Sequence, residues 1–254
     1  MLHLLKRHPF AVKAVLARTL VLTYALSRNV LQPLLPPGLT VDARGDLGFL
    51  AIALVQTQDM RPAFLPEAFG QDFFLAGYRI FARHATAAGK TLRGLRILQS
   101  YADKFRMVFF GNLLTHYNYR LAKIQTRQSG THWRISLNAW NNSDWPALDV
   151  IADLSRETIP EGSPFNSFRE ARRYAGPLPY TFDYESKTHS IVRIEGVRKE
   201  WSPRLVDVEV LKNTLWEKPP FNSCNAVLAS AFYLERIPYL WKRGVVENLK
   251  RGVR

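Results

Sequence analysis

The chain has 254 residues, with 35 Lys+Arg against 21 Asp+Glu, for a formal net charge of +14. At 47% hydrophobic, 12% aromatic and 22% charged residues the composition is that of a globular protein, which excludes disordered, collagen-like and disulfide-scaffold classes. Cys224 stands alone, so no intrachain disulfide or multi-thiolate metal site can be built, and a reducing cytoplasm is the expected compartment.

Lys6, Arg7, Lys13 and Arg18 interrupt every apolar run between Met1 and Leu26 well below the roughly 18 residues a membrane span needs. Neither a cleaved signal nor a transmembrane helix is expected there. No repeat and no Gly/Ser or Pro-rich linker divides the sequence, so one domain over 1–254 is expected. The charge is regional: residues 76–136 carry eleven Lys/Arg against Asp103 alone, whereas 137–163 set Arg156 against five acids. Such a basic stretch suits solvated strand faces or an anion-binding surface.

In chain order, period-two alternation predicts strands at Thr19–Ala25, Leu47–Gln58, Phe73–His84, Leu92–Tyr101, Tyr117–Gln128, His132–Ala139, His189–Val197 and Leu205–Val210. Turn residues separate several of them, at Arg44-Gly45, Ala88-Gly89-Lys90, Ser129-Gly130 and Ser186-Lys187. Ser27 is placed to cap a short helix through Leu35, and Ser167 one from Phe168 to Ala175 that Gly176-Pro177 ends. Asp103 could cap a helix toward Leu113, but Phe105, Val108, Phe109 and Phe110 suit a strand equally. In the last forty residues Val227–Tyr233 could be a strand and Leu240–Arg251 a short basic helix.

The sequence lacks a dinucleotide-binding glycine pattern, a phosphate-binding loop, a His-Glu-x-x-His zinc motif and a Gly-x-Ser-x-Gly elbow. The six histidines form no ligand cluster, so no metal and no cofactor are expected. Attention falls on Arg96 to Arg106, where Lys104 is flanked by apolar residues and other cations. A lysine attacks a carbonyl only when neutral, and burial or nearby positive charge favours that form, while Asp103 opposes it. A solvated surface lysine is the competing reading. Downstream, alternation from Thr115 sets His116, Asn118 and Arg120 on one face and Tyr117 and Tyr119 on the other, without saying which face lines a cavity.

Thr23-Tyr24-Ala25-Leu26 followed by Leu31-Gln32-Pro33-Leu34-Leu35-Pro36-Pro37-Gly38-Leu39-Thr40-Val41-Asp42 resembles the opening of acetoacetate decarboxylase-like proteins, and more closely their YqjF-like branch, a domain-of-unknown-function family. The resemblance covers roughly residues 8–140 and implies a mainly β (α+β) fold, an antiparallel curved sheet or partly closed barrel around a cavity with a few short helices. A sandwich is the alternative. In that family one strand carries an arginine, a tyrosine and a lysine pair, the first lysine forming a Schiff base and the second depressing its pKa. Here Arg96 and Tyr101 match, Asp103 falls on the Schiff-base lysine and Lys104 on its partner. Glu67 is the nearest counterpart of the family's acids, and Arg18 lies one residue from its substrate-carboxylate arginine.

Together these readings predict a cavity that binds a small acidic or carbonyl-bearing molecule. Lys104 and Glu67 are the candidates for catalysis, with Arg18, Tyr101, His116 and Asn118 as ligand contacts. Schiff-base decarboxylation through Lys104 is the alternative activity. Nucleic acid, bound by the basic stretch, and an anionic membrane surface, bound by the terminal cations, are the alternative partners, and a homo-oligomer is compatible with the sequence.

Overall fold

A computed structural model describes residues 2–139, 146–175 and 178–249. Fourteen strands dominate it: β1 (Val12–Ser27), β2 (Leu39–Val41), β3 (Leu47–Pro62), β4 (Gln71–Ala85), β5 (Thr91–Ala102), β6 (Tyr119–Ser129), β7 (His132–Ala139), β8 (Leu148–Asp153), β9 (Tyr180–Glu185), β10 (Ser190–Val197), β11 (Arg204–Leu205), β12 (Asp207–Asn213), β13 (Val227–Trp241) and β14 (Val245–Asn248). The α-helices are short: α1 (Arg28–Leu31), α2 (Phe105–Leu114) and α3 (Phe168–Ala175).

Seven strands close on themselves in the order β5-β9-β10-β13-β1-β3-β4, with β4 paired back to β5. The pairings are antiparallel except β5 with β9, so the curved sheet is mixed. Where an alternating strand shows one face to solvent, a ring strand covered outside must be apolar on both faces. β3 meets that condition: Leu50, Ile52 and Leu54 point outward into a core, and Ala51, Ala53 and Val55 point inward. The outward core forms against a flanking antiparallel sheet, β6-β7-β8-β12, which presents Trp133, Ile135, Leu137 and Val150. That sheet joins the ring through a short parallel contact of β5 with β6.

One end of the ring is plugged. Phe49, Phe81, Phe165, Ala171 and Phe232 pack there beneath α3, with Phe49 and Phe165 stacked 5.5 Å apart. Burial of this kind stabilises by about 25 cal/mol per Å² of apolar surface removed from water, so the plug is a fixed floor.

Most predicted strands are present, several of them longer. Ser27 caps α1, accepting from the Asn29 amide at 3.3 Å, although the helix is only one turn before a 3-10 turn takes over. Ser167 accepts from the Glu170 amide at the start of α3; Gly176-Pro177, predicted to end it, lie outside the described residues. The segment after Asp103 is a helix, yet Asp103 does not cap it: its carboxylate accepts from the Phe74 amide at 2.8 Å and ties the β5 end to β4. The C-terminal helix expected over Leu240–Arg251 is corrected as far as residue 249, where the chain is strand and loop; residues 250 and 251 lie outside the described residues. β13 runs to Trp241, and β14 pairs with β10 because Glu247 reaches both Arg193 and His84.

Candidate functional site

Inside the ring lies a cavity of about 750 Å³. Its walls follow the register. Val21 of β1, Ala53 of β3 and Gly77 of β4 sit opposite one another, as do Thr19, Val55 and Leu75 one layer on. α2 and the turn after it close one side with Met107, Phe110, Tyr117 and Tyr119. Gly111 permits this closure, since a Cβ there would stand 2.3 Å from the Tyr119 ring.

The walls are largely apolar, and no Asp, Glu or Lys is among the described residues that line them. Arg79 does line them. On β4 the inward residues read Leu75, Gly77, Arg79, Phe81, so a single cation is set into an apolar face. Its Nε is buried and without a hydrogen-bond partner, and no carboxylate pairs with it among the described residues. Burial pulls the guanidinium below its ordinary pKa, the phenols of Tyr239, Tyr119 and Tyr117 acting weakly the other way. The side chain folds back over Gly77, where a Cβ would lie 3.0 Å from Nε and 3.2 Å from Nη2.

Other residues that line the cavity carry buried polar atoms without partners: the Tyr117 and Thr19 hydroxyls and the Trp201 indole N–H. Buried polar atoms normally have partners, so several orphans around one cavity mark a place where a ligand or water completes the set. Arg198 also lines the cavity, donating to the Tyr239 hydroxyl at 3.2 Å and lying over the Trp201 ring. Burial raises the Tyr117 and Tyr119 phenols above their ordinary range, so both are neutral donors.

At the mouth, His8 packs against Tyr117 with ring centroids 5.4 Å apart. Burial lowers its pKa from the ordinary 6.5 to about 4. A histidine held neutral in the fold takes up its proton more readily when unfolded, so its contribution is complete above about pH 6.5 and is lost as pH falls toward 4. The wild-type protein is therefore expected to lose roughly 3 kcal/mol more than His8→Asn over that window in urea denaturation, at about 1.4 kcal/mol per pKa unit. Asparagine suits this test because His8 sits at φ +51°, a conformation that asparagine tolerates. Equal losses in the two proteins would refute the assignment.

The residues singled out from the sequence lie elsewhere. Arg18 points outward, donating to Gln128 at 3.1 Å over the Trp133 ring. Tyr101 is buried in the outer core, edge-on to Tyr78. Lys104 is exposed at the start of α2. Glu67 is in a 3-10 turn by the mouth, its side chain 86% exposed and 3.3 Å from Arg61. The His116 amide donates to Asp183 at 2.9 Å outside the ring, and Asn118 is exposed, donating to the Leu98 carbonyl at 3.2 Å. None of the six lines the cavity.

Sequence reasoning missed Arg79, although a signal exists: in Phe73-Phe74-Leu75-Ala76-Gly77-Tyr78-Arg79-Ile80-Phe81 both faces are apolar, so a cation there has no solvent face to occupy. Four of the eleven cations of the basic stretch are committed to ion pairs: Arg83 and Arg93 to Asp42, Arg96 to Asp183, Arg134 to Asp149. No three His, Cys, Asp or Glu cluster as metal ligands among the described residues, and no described helix is long and apolar enough to cross a membrane.

Comparison with known proteins bears on the fold. A family described as "uncharacterized conserved protein", DUF2071, matches residues 13–237. No curated protein matches the sequence. An acetoacetate decarboxylase-like enzyme from Sphingomonas wittichii RW1 superposes with TM-score 0.58 at 15% identity, covering 96% of this chain and 93% of that one. The acetoacetate decarboxylase of Legionella pneumophila gives 0.59 at 13% identity, covering 94% and 87%. The enduracididine biosynthesis enzyme MppR, in complex with pyruvate, gives 0.57 at 11% identity over 94% and 90%. At such identities the likeness establishes a shared fold and no shared activity.

Proposed function

The chain belongs to the DUF2071 family, and we propose that it binds an organic carboxylate inside its strand ring, held by Arg79, without Schiff-base chemistry. The half-buried guanidinium, its Nε without a partner, carries this reading. A cation kept from water costs several kcal/mol unless something neutralises it, and an apolar cavity without acids leaves a ligand anion as the partner. The bidentate fork of arginine matches a carboxylate, and the neutral phenols of Tyr117 and Tyr119 are placed to donate beside it. MppR, which has this fold, holds pyruvate, itself a carboxylate.

Imine formation requires an amine at the bound carbonyl, and no lysine lines the cavity among the described residues. With Lys104 exposed, incubation with acetoacetate and borohydride is expected to leave no cavity adduct by mass spectrometry. A stable adduct at Lys104, lost in Lys104→Ala, would restore the lyase reading.

Calorimetric titration tests the binding itself. Hexanoate is expected to bind and hexanamide not to, and Arg79→Met should weaken hexanoate at least tenfold, because a charge-assisted hydrogen bond is worth about 1.5–3 kcal/mol. Equal binding of acid and amide would overturn the proposal.

A further inference from the structure

Resting on that reading, we infer that the carboxylate carries a long apolar tail, on the order of ten carbons, with its head at Arg79 and its tail running along the ring toward the mouth. The cavity of about 750 Å³ would hold roughly 25 waters at about 30 Å³ each. A four-carbon keto acid displaces only about five of them, which leaves most of the apolar wall wet. Such a wall favours a ligand that covers it.

The geometry sets the length. The Arg79 guanidinium lies at the level of Gly77, and Phe73, which also lines the cavity, is four residues nearer the mouth on the same strand. At about 3.3 Å per residue that is about 13 Å, the reach of an extended chain of roughly ten carbons. Between the two levels the wall is Val55, Leu75, Ile97, Leu234 and Trp241. Its polar groups there are few, the Thr19 and Ser100 hydroxyls and the Trp241 indole N–H, set in a wall that is otherwise apolar.

The mouth has the same character. Phe69 and Phe110 line it while 62% and 45% exposed, and Phe64, 70% exposed, sits edge-on against Phe10. Large aromatic rings left in water around an opening are unfavourable unless what passes through is apolar. On the loop side the cation Arg61 is held by Asp59 and Glu67, and Arg106, which also lines the cavity, is exposed on α2, so Arg79 is the cation set into the apolar face of β4.

The test titrates the full chain by calorimetry with butyrate, hexanoate, octanoate, decanoate and dodecanoate, each below its micelle concentration, and with decan-1-ol. Affinity is expected to rise roughly threefold to fourfold per added methylene, as expected for burying one CH₂, and to level off near ten carbons. Leu75→Trp, which fills the channel between head and mouth, should weaken decanoate far more than butyrate. Butyrate binding as tightly as decanoate, or decanoate unaffected by Leu75→Trp, overturns the tail and leaves carboxylate binding standing. Decan-1-ol binding as tightly as decanoate, or no effect of Arg79→Met on any acid, overturns carboxylate binding itself.

Discussion

Arg79→Met is expected to make the ligand-free protein more stable while removing its affinity for acids. In the wild type the guanidinium is drawn partly out of water among aliphatic and aromatic side chains, its Nε buried, and no carboxylate of the described chain compensates it. Methionine has a similar length, fills irregular apolar space and requires no partner. Replacing a desolvated ionic group by an apolar one of like volume commonly stabilises by about 1–4 kcal/mol, and a chain of this size gains about 2–4 °C in melting temperature per kcal/mol. A rise of several degrees is expected without ligand. Saturating decanoate should then raise the wild-type melting temperature, since a ligand that binds only the folded state stabilises it, and leave the variant unmoved. A variant less stable than wild type in the absence of ligand would mean that Arg79 is a structural group with partners in the fold, and the ligand argument would lose its footing. The opposite signs in the two conditions separate a binding role from a packing one, because stability sacrificed at one position is the mark of a functional group.

The strands were legible in the sequence wherever one face is buried and the other open, as in β6 and β7, and also where both are buried, as in β3. β9 was not, because Tyr180–Glu185 places Asp183 and Glu185 in its alternation. Both carboxylates are almost fully buried, Asp183 against Arg96 and Glu185 against Arg7 and Thr188. A strand that buries acids looks solvent-facing until the arginines that pair with them, 87 and 178 residues away in sequence, are known. β8 is an exception of another kind, since its buried Leu148, Val150 and Ala152 alternate with half-exposed residues but lie in a short, acid-rich stretch; β13 extends past Pro238, which pairs with Val15. The site was less legible than the fold. The strand alternation expected from Thr115 is corrected, since β6 begins only at Tyr119 and Asn118 has φ +51°; Tyr117 and Tyr119 nevertheless line the cavity, while Asn118 and Arg120 are exposed. Residue types that suggest chemistry also serve as surface and as structural ties, and only closure of the ring distinguishes them.

One such tie carries the other large effect. Asp183→Ala is expected to destabilise the protein by about 3–5 kcal/mol, the usual cost of removing one partner from a buried ion pair. Asp183 is fully buried on β9, where its carboxylate accepts from the Arg96 guanidinium and, at 2.9 Å, from the His116 amide. Without it, Arg96, whose side chain is only 15% exposed, keeps a charge with no counterion, and a part-buried backbone N–H loses its acceptor. By the scaling given above, the melting temperature should fall by about 10 °C. Asp183→Asn, which keeps an acceptor but no charge, should cost less. The double replacement Arg96→Met with Asp183→Leu should cost less than Asp183→Ala alone, since it removes both charges together. The tie also acts on the cavity. The His116 amide is anchored immediately before Tyr117, so loss of the anchor frees the segment that holds Tyr117 against His8. Asp183→Ala should therefore weaken decanoate binding even at temperatures where the protein remains folded, and Asp183→Asn should restore part of that affinity. A variant with wild-type stability in urea would show that Arg96 finds another partner; a destabilised variant with unchanged affinity would show that the 115–119 segment is positioned by α2 and β6 alone.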